Sequence, residues 1–420
     1  MAILDTGVDR EHPFLAGKVI EEACFSGNGN CPNELMSQTG PGAGVPCTYA
    51  PDGCRHGTHV AGIAAGSAAS LSGVARGAQI MAVQVFSRFT GAECATAVED
   101  PCTKTFVSDQ IAALERVFAL REQYTFAAVN MSLGGGKFTS PCDGQNQNAS
   151  RKAAIDNLRS VGIATVAAAG NEGLADGLAA PACISTAVSV GSTTKSDGVS
   201  IFSNSASFLS LLAPGSSINS SVPGGGFAVF GGTSQAAPHV AGAWAILKQQ
   251  KPAATVEEIL VAFKTTGVPI TDPTNNVTTL RIRVNLALHT FLSPASPAEV
   301  PQILNGKTLQ EVGGSPQRTF LTTDPITFVA TYFDNSVACA GVPPRFVQLF
   351  LFTLEGELIQ QDAASSFPPS LGSQHRTLYK AFAPGVLTPA DYNFSFVVRD
   401  CTNTRSIMLP EVVTFRVLAP

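Results

Sequence analysis

The chain has 420 residues, of which 45% are hydrophobic and only 14% are charged, well under the roughly 25% charged residues of typical soluble domains. This composition excludes a disordered chain and supplies enough apolar surface for one or two large cores. The formal net charge is −5 without basic blocks, so we expect no nucleic-acid partner. The longest apolar run, residues 161–169, is far below the roughly 18 residues of a membrane span, so we expect none.

Cysteine usage indicates an oxidising compartment. The chain has 10 cysteines, mostly in stretches rich in Gly, Pro and Asn, with neither a CxxC pair nor a Cys/His cluster of zinc-finger spacing. Disulfides are therefore favoured over metal binding, and we expect a secreted protein that needs no metal and no cofactor. The pairs that we expect are Cys47 with Cys54, Cys94 with Cys102, and Cys339 with Cys401.

Residues 1–292 alternate short apolar runs with helical patterns. Alternation on this scale predicts an α/β domain, a doubly wound, mostly parallel sheet with helices on both faces. A capping box at Thr255 and Glu258 marks one helix start. The other predicted elements are strands at 78–86, 126–133 and 163–169, and helices at 109–122 and 151–161.

A Pro/Ser-rich linker at residues 293–299 predicts a domain boundary. Residues 300–420 show strand patterns separated by turn signals and no convincing helix, which predicts a small all-β, sandwich-like accessory domain. The role that we expect for it is stabilisation of the first domain. Its clearest strand patterns lie at 326–333, 345–354, 377–382, 393–398 and 412–418.

Two motifs in the first domain are weak when taken alone. Ala2-Ile-Leu-Asp5-Thr-Gly7 is an apolar strand that ends in an acid. Strand-end Asp residues often serve in turns, and an aspartic protease would need two copies of Asp-Thr-Gly where this chain has one. His56-Gly-Thr-His59-Val-Ala-Gly62 opens a helix, and its two histidines are compatible with a purely structural role.

A third motif places a hydroxyl at a helix start. In Gly231-Gly-Thr-Ser234-Gln-Ala-Ala-Pro238, a serine follows a glycine-rich turn. The helix macrodipole and free amides there favour negative charge beside the serine oxygen. A helix N-cap is an equally good interpretation of an isolated serine at this position.

Together, these motifs supply the parts of a catalytic triad. Asp5 would fix the imidazole tautomer, His56 would take the hydroxyl proton, and Ser234 would attack a carbonyl. The order Asp, His, Ser is one of three known for such triads, and it excludes an α/β-hydrolase esterase, whose Gly-x-Ser-x-Gly elbow is also missing. Asn171, just beyond a predicted strand, could donate its amide to the oxyanion.

At these residues the chain resembles the subtilases, the subtilisin-like serine proteases. The similarity covers residues 1–291 and includes all four motifs, together with Asn130-Met-Ser132-Leu-Gly-Gly135. The resemblance implies that Ser234 is the nucleophile, His56 the general acid/base and Asp5 the orienting carboxylate. It also implies an oxyanion hole formed by Asn171 with the backbone N–H of Ser234.

The resemblance further implies a substrate cleft. Ser132, Leu133 and Gly134 would pair with an extended peptide, while Ala168, Ala169 and Gly170 would form a wall of the primary side-chain pocket. His59 and His239 match structural positions of the family. We therefore expect protein or peptide substrates and a monomeric enzyme.

The chain also departs from the family pattern. The signal peptide, the prosegment and the first part of the catalytic domain that the family carries are not in this sequence. Residues 67–74 lack carboxylates, and Ser210 stands where the family places a calcium-binding Asp, so we expect no calcium at either position. The segment facing the substrate strand is replaced by a longer loop that holds Cys94 and Cys102, so its subsite preference cannot be transferred.

The leading hypothesis is a secreted serine endopeptidase of broad specificity. The alternative is a catalytically silent, subtilase-like scaffold for binding or adhesion in which the β-rich C-terminus acts. The intact catalytic set argues against this alternative, because an inactive relative usually loses at least one catalytic residue.

Overall fold

The structure is a computed structural model that describes residues 1–95, 99–145 and 147–292, with side chains through residue 288, and ten strands beyond residue 298. By its contacts the chain divides into two compact units, Met1–Leu288 and His289–Pro420. The predicted linker at 293–299 lies outside the described residues, except for residue 299.

A ten-stranded sheet forms the centre of the first unit, in the order β15-β16-β12-β11-β9-β7-β1-β4-β2-β3. Neighbours are parallel from β16 to β2, and the edge strands β15 and β3 are antiparallel. The strands of this unit are β1 (Ala2–Asp5), β2 (Val19–Phe25), β3 (Ser37–Thr39), β4 (Ile80–Gln84), β5 (Ser87–Phe89), β6 (Cys102–Lys104), β7 (Ala128–Met131), β8 (Gly135–Phe138), β9 (Ala164–Ala168), β10 (Leu178–Ala180), β11 (Val188–Thr193), β12 (Leu211–Pro214), β13 (Ile218–Val222), β14 (Gly226–Phe230), β15 (Val268–Thr271) and β16 (Thr278–Arg281).

The predicted helices are present, with shifted ends. The capping box at Thr255 and Glu258 is confirmed by hydrogen bonds in both directions. The helix expected from Asp109 begins two residues earlier, so Asp109 lies in its first turn, where its carboxylate accepts a bond from the Gly27 amide (2.9 Å). The helices are α1 (His56–Ala65), α2 (Val107–Ala119), α3 (Asn148–Ser160), α4 (Thr233–Gln250), α5 (Val256–Thr266) and α6 (Val284–Leu292).

Alternate residues of the central strands face opposite sides of the sheet. In β1, Ala2 and Leu4 belong to a buried cluster that includes Leu114 of α2 and Ile155 of α3. Ile3 points to the other side, where α1 and α4 pack together. Since both faces of a mostly parallel sheet are covered, its central strands are largely apolar, as at residues 2–4 of β1 and 80–83 of β4. The predicted α/β class and sheet arrangement are confirmed.

The strand order reverses next to β1. The next strands of the chain, β2, β3 and β4, lie on one side of β1. The later strands β7, β9, β11 and β12 lie on its other side. Open α/β sheets bind ligands beyond the carboxyl ends of their strands at such a reversal. Asp5 ends β1, Ser132 follows β7, and Asn171 lies three residues after β9. Three of the predicted site residues therefore lie at one edge of the sheet.

Beyond residue 298, the residues that the structure describes in the second unit all lie in strands, as expected from the sequence. One sheet has the order β17-β19-β23-β22, and the other has the order β18-β26-β24-β20-β21, with β25 paired to β24. All five strand patterns noted in the sequence fall on strands. These strands are β17 (Glu299–Asn305), β18 (Thr319–Leu321), β19 (Ile326–Phe333), β20 (Phe346–Phe352), β21 (Leu358–Ala363), β22 (Ser365–Ser366), β23 (His375–Phe382), β24 (Ala390–Arg399), β25 (Ser406–Met408) and β26 (Val413–Leu418).

Four disulfides cross-link the first unit. The expected pairs Cys47–Cys54 and Cys94–Cys102 are confirmed. Two further bonds, Cys24–Cys31 and Cys142–Cys183, join cysteines for which the sequence predicted no partner. The expected pair Cys339–Cys401 lies outside the described residues.

Candidate active site

Asp5 is fully buried at the carboxyl end of β1. Its Oδ1 accepts a hydrogen bond from the Thr6 amide (2.7 Å) and contacts His56 Nδ1 at 2.8 Å. A carboxylate that accepts from Nδ1–H leaves Nε2 as the basic nitrogen of the neutral ring. Asp5 therefore fixes both the orientation and the tautomer of His56.

Two glycines bring the helix that carries His56 against β1. Gly7 has φ +98°, a left-handed conformation that glycine adopts without strain. A Cβ on Gly57 would overlap the Gly7 carbonyl oxygen. The Gly57 amide also donates to Thr6 Oγ1 (3.0 Å). Because no side chain separates these segments, the first turn of α1 approaches Asp5 closely enough for the His56 contact.

His56 is only partly enclosed, with 25% of its side chain exposed. Burial lowers the pKa of His56, but the charge and hydrogen bond of Asp5 outweigh burial and raise it above the ordinary value of 6.5. Imidazole is the side chain whose ordinary pKa lies nearest to neutral pH. It can therefore accept a proton and later return it.

Ser234 lies in the first turn of α4, whose N-cap is Gly232. The alternative that Ser234 is itself the N-cap is therefore wrong. Its hydroxyl donates to the Ser132 carbonyl (3.2 Å), and the Ser132 hydroxyl donates to the Ser234 carbonyl (2.7 Å). Asn130 Nδ2 donates in turn to Ser132 Oγ (2.9 Å). The end of β7 thus holds the residue that carries the candidate nucleophile.

The side chain of Asn171 is fixed by hydrogen bonds to its amide oxygen, Oδ1. Its Oδ1 accepts from the Thr233 amide (2.8 Å) and from Thr233 Oγ1 (3.0 Å). Since both donors bind Oδ1, the Nδ2 group is directed away from them, and it lies 3.4 Å from the position that a Cβ on Gly232 would occupy. The Nδ2 group of Asn171 therefore lies beside the start of α4, the helix whose first turn carries Ser234.

Asn204 organises the loop that carries Asn171, and the sequence did not reveal it. Its buried side chain accepts from the amides of Glu172 (3.1 Å) and Leu174 (3.0 Å) and donates to the Ala169 carbonyl (3.2 Å). Asn204 and Thr233 lie at least 30 residues away in sequence from the groups that they hold. No local pattern could have identified them.

The residues expected in the substrate cleft lie at the carboxyl ends of two neighbouring parallel strands, β7 and β9. Ser132, Leu133 and Gly134 follow β7, and Ala168 ends β9, which pairs with β7. Gly134 is exposed, and a Cβ there would lie 3.0 Å from the Ala180 carbonyl oxygen. Ala169 is fully buried, and its carbonyl accepts from the Ala179 amide (2.9 Å). Gly170 adopts φ +110°.

The two other histidines of the motifs have internal partners. Nε2 of His59 contacts the carbonyls of Ile218 and Ala228, both at 3.1 Å, and burial lowers the pKa of His59 to about 4. Burial also lowers the pKa of His239, whose Nδ1 contacts the Gln235 carbonyl at 2.8 Å. Both rings are therefore neutral near pH 7 and bonded to backbone.

Two further observations concern only the described residues, 1–95, 99–145 and 147–292. Within these ranges no group of three or more His, Cys, Asp or Glu side chains is placed to hold a metal ion. In the same part of the chain, no helix combines the length and apolar character needed to cross a bilayer.

Similarity to known proteins extends across this unit. The chain is 32% identical over 282 residues to alkaline serine exoprotease A of Vibrio alginolyticus, which covers 66% of this chain and 44% of that protein. It is also 32% identical over 272 residues to subtilisin E of Bacillus subtilis, covering 64% and 60%. The chain therefore spans less than two thirds of the length of these relatives.

The structural comparison agrees. A solved protease structure from Pseudoalteromonas arctica matches with a TM-score of 0.54 and 26% identity, covering 69% of this chain and 89% of that chain. Residues 1–281 match the family model Peptidase_S8, described as the subtilase family. The chain therefore belongs to the subtilase family.

Proposed function

We propose that the chain is a serine endopeptidase that hydrolyses peptide bonds through an acyl-enzyme. The observation that carries this proposal is the 2.8 Å contact between His56 Nδ1 and Asp5 Oδ1, at the sheet edge where Ser132 is hydrogen-bonded to Ser234 and where Asn171 also lies. This arrangement provides an oriented base, a hydroxyl at a helix start and an amide donor.

The first half of the reaction forms the acyl-enzyme. Ser234 Oγ turns from the Ser132 carbonyl toward His56, whose Nε2 takes the hydroxyl proton while Oγ attacks the substrate carbonyl carbon. The oxyanion accepts hydrogen bonds from Asn171 Nδ2 and the Ser234 amide. His56 then gives its proton to the departing amine, and Asp5 stabilises the transient imidazolium.

The second half releases the acid. A water molecule gives a proton to His56 Nε2 and attacks the acyl carbon through the same oxyanion hole. Collapse of the second tetrahedral intermediate returns the proton to Ser234 Oγ. The cycle consumes one water and leaves Asp5, His56 and Ser234 in their starting states.

The proposed substrate contacts lie at the carboxyl ends of β7 and β9. We propose that the backbone at Ser132, Leu133 and Gly134, of which Gly134 is exposed, pairs with an extended peptide, a mode of binding that gives affinity with little sequence demand. Ala168, Ala169 and Gly170 would form a wall of the pocket for the residue before the scissile bond. These contacts support broad specificity for protein substrates, bound by a monomer.

An extracellular location is part of the proposal. Four disulfides within the first 183 residues support an oxidising compartment, because such bonds are rare in reducing cytosol. We propose that the second unit is an accessory domain that stabilises the enzyme. Deletion of residues 296–420 should then shorten the thermal half-life, and an unchanged half-life would contradict this role.

Casein hydrolysis and cleavage of a peptide p-nitroanilide by the full chain test the proposed activity. The wild type should release both products, whereas Ser234→Ala, with an unchanged circular dichroism spectrum, should retain only a trace of activity. Equal hydrolysis by the two proteins would show that the activity does not come from this site.

A further inference from the structure

The loop closed by Cys94–Cys102 binds the segment that immediately precedes His56. Glu99 Oε1 accepts from the Gly53 amide (2.7 Å), and Oε2 accepts from the Asp52 amide (3.1 Å). These amides begin the 3-10 turn Gly53–Arg55, where Asp52 is the N-cap but makes no capping bond with its own side chain. Glu99 therefore caps this turn from a distant part of the chain, through charge-assisted hydrogen bonds.

The capped turn is bonded directly to the backbone of His56. The His56 amide donates to the Gly53 carbonyl. Gly53 thus binds Glu99 through its N–H and His56 through its C=O. Because one residue carries both bonds, a movement of Gly53 displaces the backbone from which the imidazole projects.

Glu99 is itself anchored on both sides. The Cys94–Cys102 disulfide closes its loop, and Asp100 Oδ2 accepts from the Gly91 amide (3.0 Å). The capped turn carries Cys54, which is bonded to Cys47. Close packing excludes a side chain at Gly53, since a Cβ there would lie 2.8 Å from Thr103 Oγ1. The two disulfide loops therefore meet at the Glu99 carboxylate.

We propose that Glu99 is a positioning residue for His56. This proposal rests on the proposed peptidase function, in which Nε2 must reach the Ser234 hydroxyl. Glu99 contacts backbone amides of the turn, and it acts on the reaction only through the position of His56. Since a misplacement of about 1 Å can lower the rate by about 100-fold, loss of the cap reduces turnover even though the triad is intact.

Three variants in the full chain separate this role from others. Glu99→Ala removes both acceptors and should lower kcat for a peptide p-nitroanilide about tenfold with KM unchanged. Glu99→Gln keeps one acceptor without the charge, and its kcat should lie between that of Glu99→Ala and that of the wild type. Glu93→Ala removes an exposed carboxylate beside the same disulfide. Its kcat and KM should equal those of the wild type. Unchanged kcat in Glu99→Ala, or a rise in KM alone, would overturn the proposal.

A second measurement needs no turnover. In a Ser234→Ala background, Glu99→Ala should speed amide hydrogen exchange at residues 52–56 and should shift or broaden the low-field proton resonance of His56 Nδ1. Retention of both signals would overturn the positioning role, whether or not the wild type hydrolyses peptides. If the wild type is inactive but both signals change, the peptidase proposal alone fails. If Glu99→Ala does not fold, Glu99→Gln carries the same comparison.

Discussion

Ser132 and Ser234 bind each other twice: each hydroxyl donates to the backbone carbonyl of the other residue, at 2.7 Å from Ser132 and 3.2 Å from Ser234. This reciprocal pair connects the end of β7 to the first turn of α4. It gives Ser132 a function beyond the backbone contacts with substrate that the sequence indicated.

Ser132→Ala should therefore affect both stability and turnover. The change removes the bond to the Ser234 carbonyl and leaves the buried Asn130 Nδ2 without its acceptor, which should cost about 1–3 kcal/mol of unfolding free energy. We expect kcat to fall while KM changes little. Urea unfolding in a Ser234→Ala background and steady-state kinetics measure the two effects. A variant as stable and active as the wild type would contradict this role.

The pH dependence of activity should follow His56. Only the neutral imidazole can take the Ser234 proton, and Asp5 raises the pKa of His56 above 6.5. Activity should therefore be lost as the pH falls through a midpoint above 6.5. The pH profile of kcat/KM, which reports groups of the free enzyme, gives this midpoint. A midpoint below 6.5 would contradict the assigned pair.

Asp5→Asn should shift the pH profile of kcat/KM and lower its maximum. The change removes both effects that raise the pKa of His56 and leaves burial, which lowers it. The midpoint should then move to lower pH. The corresponding change in a serine protease lowers kcat by about 10⁴-fold because the wrong tautomer is held. Kinetics between pH 5 and about 9 cover both effects, and an unshifted midpoint would argue against electrostatic coupling.

Asn171→Ala should lower kcat by about 10²- to 10³-fold with little change in KM, as is typical for the loss of one oxyanion donor. Thr233→Val provides a graded comparison. It removes the hydroxyl contacts to Asn171 Oδ1 and to the backbone of Gly170 but keeps the bond from the Thr233 amide to Asn171 Oδ1, so its loss of kcat should be smaller. Equal losses in the two variants would assign Thr233 a role beyond orienting Asn171.

The disulfides should contribute unequally to stability. Cys142–Cys183 spans 41 residues, whereas Cys24–Cys31 spans only 7. In the loop-entropy model, losing the first bond costs about 4 kcal/mol and losing the second about 2 kcal/mol. Double Cys→Ala variants in a Ser234→Ala background, unfolded in urea, measure the difference. Equal losses would show that loop entropy does not determine these contributions.

The parts of this fold that are encoded locally could be predicted from the sequence. Asp5, His56 and Ser234 each lie within a short motif, and the Thr255 capping box involves residues three apart. Alternation of strands and helices likewise predicted the parallel sheet. These features depend on residues that are close together in the chain, so they can be recognised without knowledge of tertiary contacts.

Long-range partners could not be predicted in this way. Asn204 holds the Asn171 loop across about 30 residues, and Glu99 caps a turn 46 residues before it. Asp109 in the first turn of α2 likewise binds Gly27, 82 residues earlier. Each of these contacts exists only after the chain has folded, and the residue types involved are common in loops.

The most direct test of the central claim is labelling of the 420-residue chain with a fluorophosphonate, followed by peptide mapping. A triad activates one serine above all others, so the label should be found on Ser234 and should be absent from Ser234→Ala. No label on the folded wild type, or a label on another residue, would contradict the account.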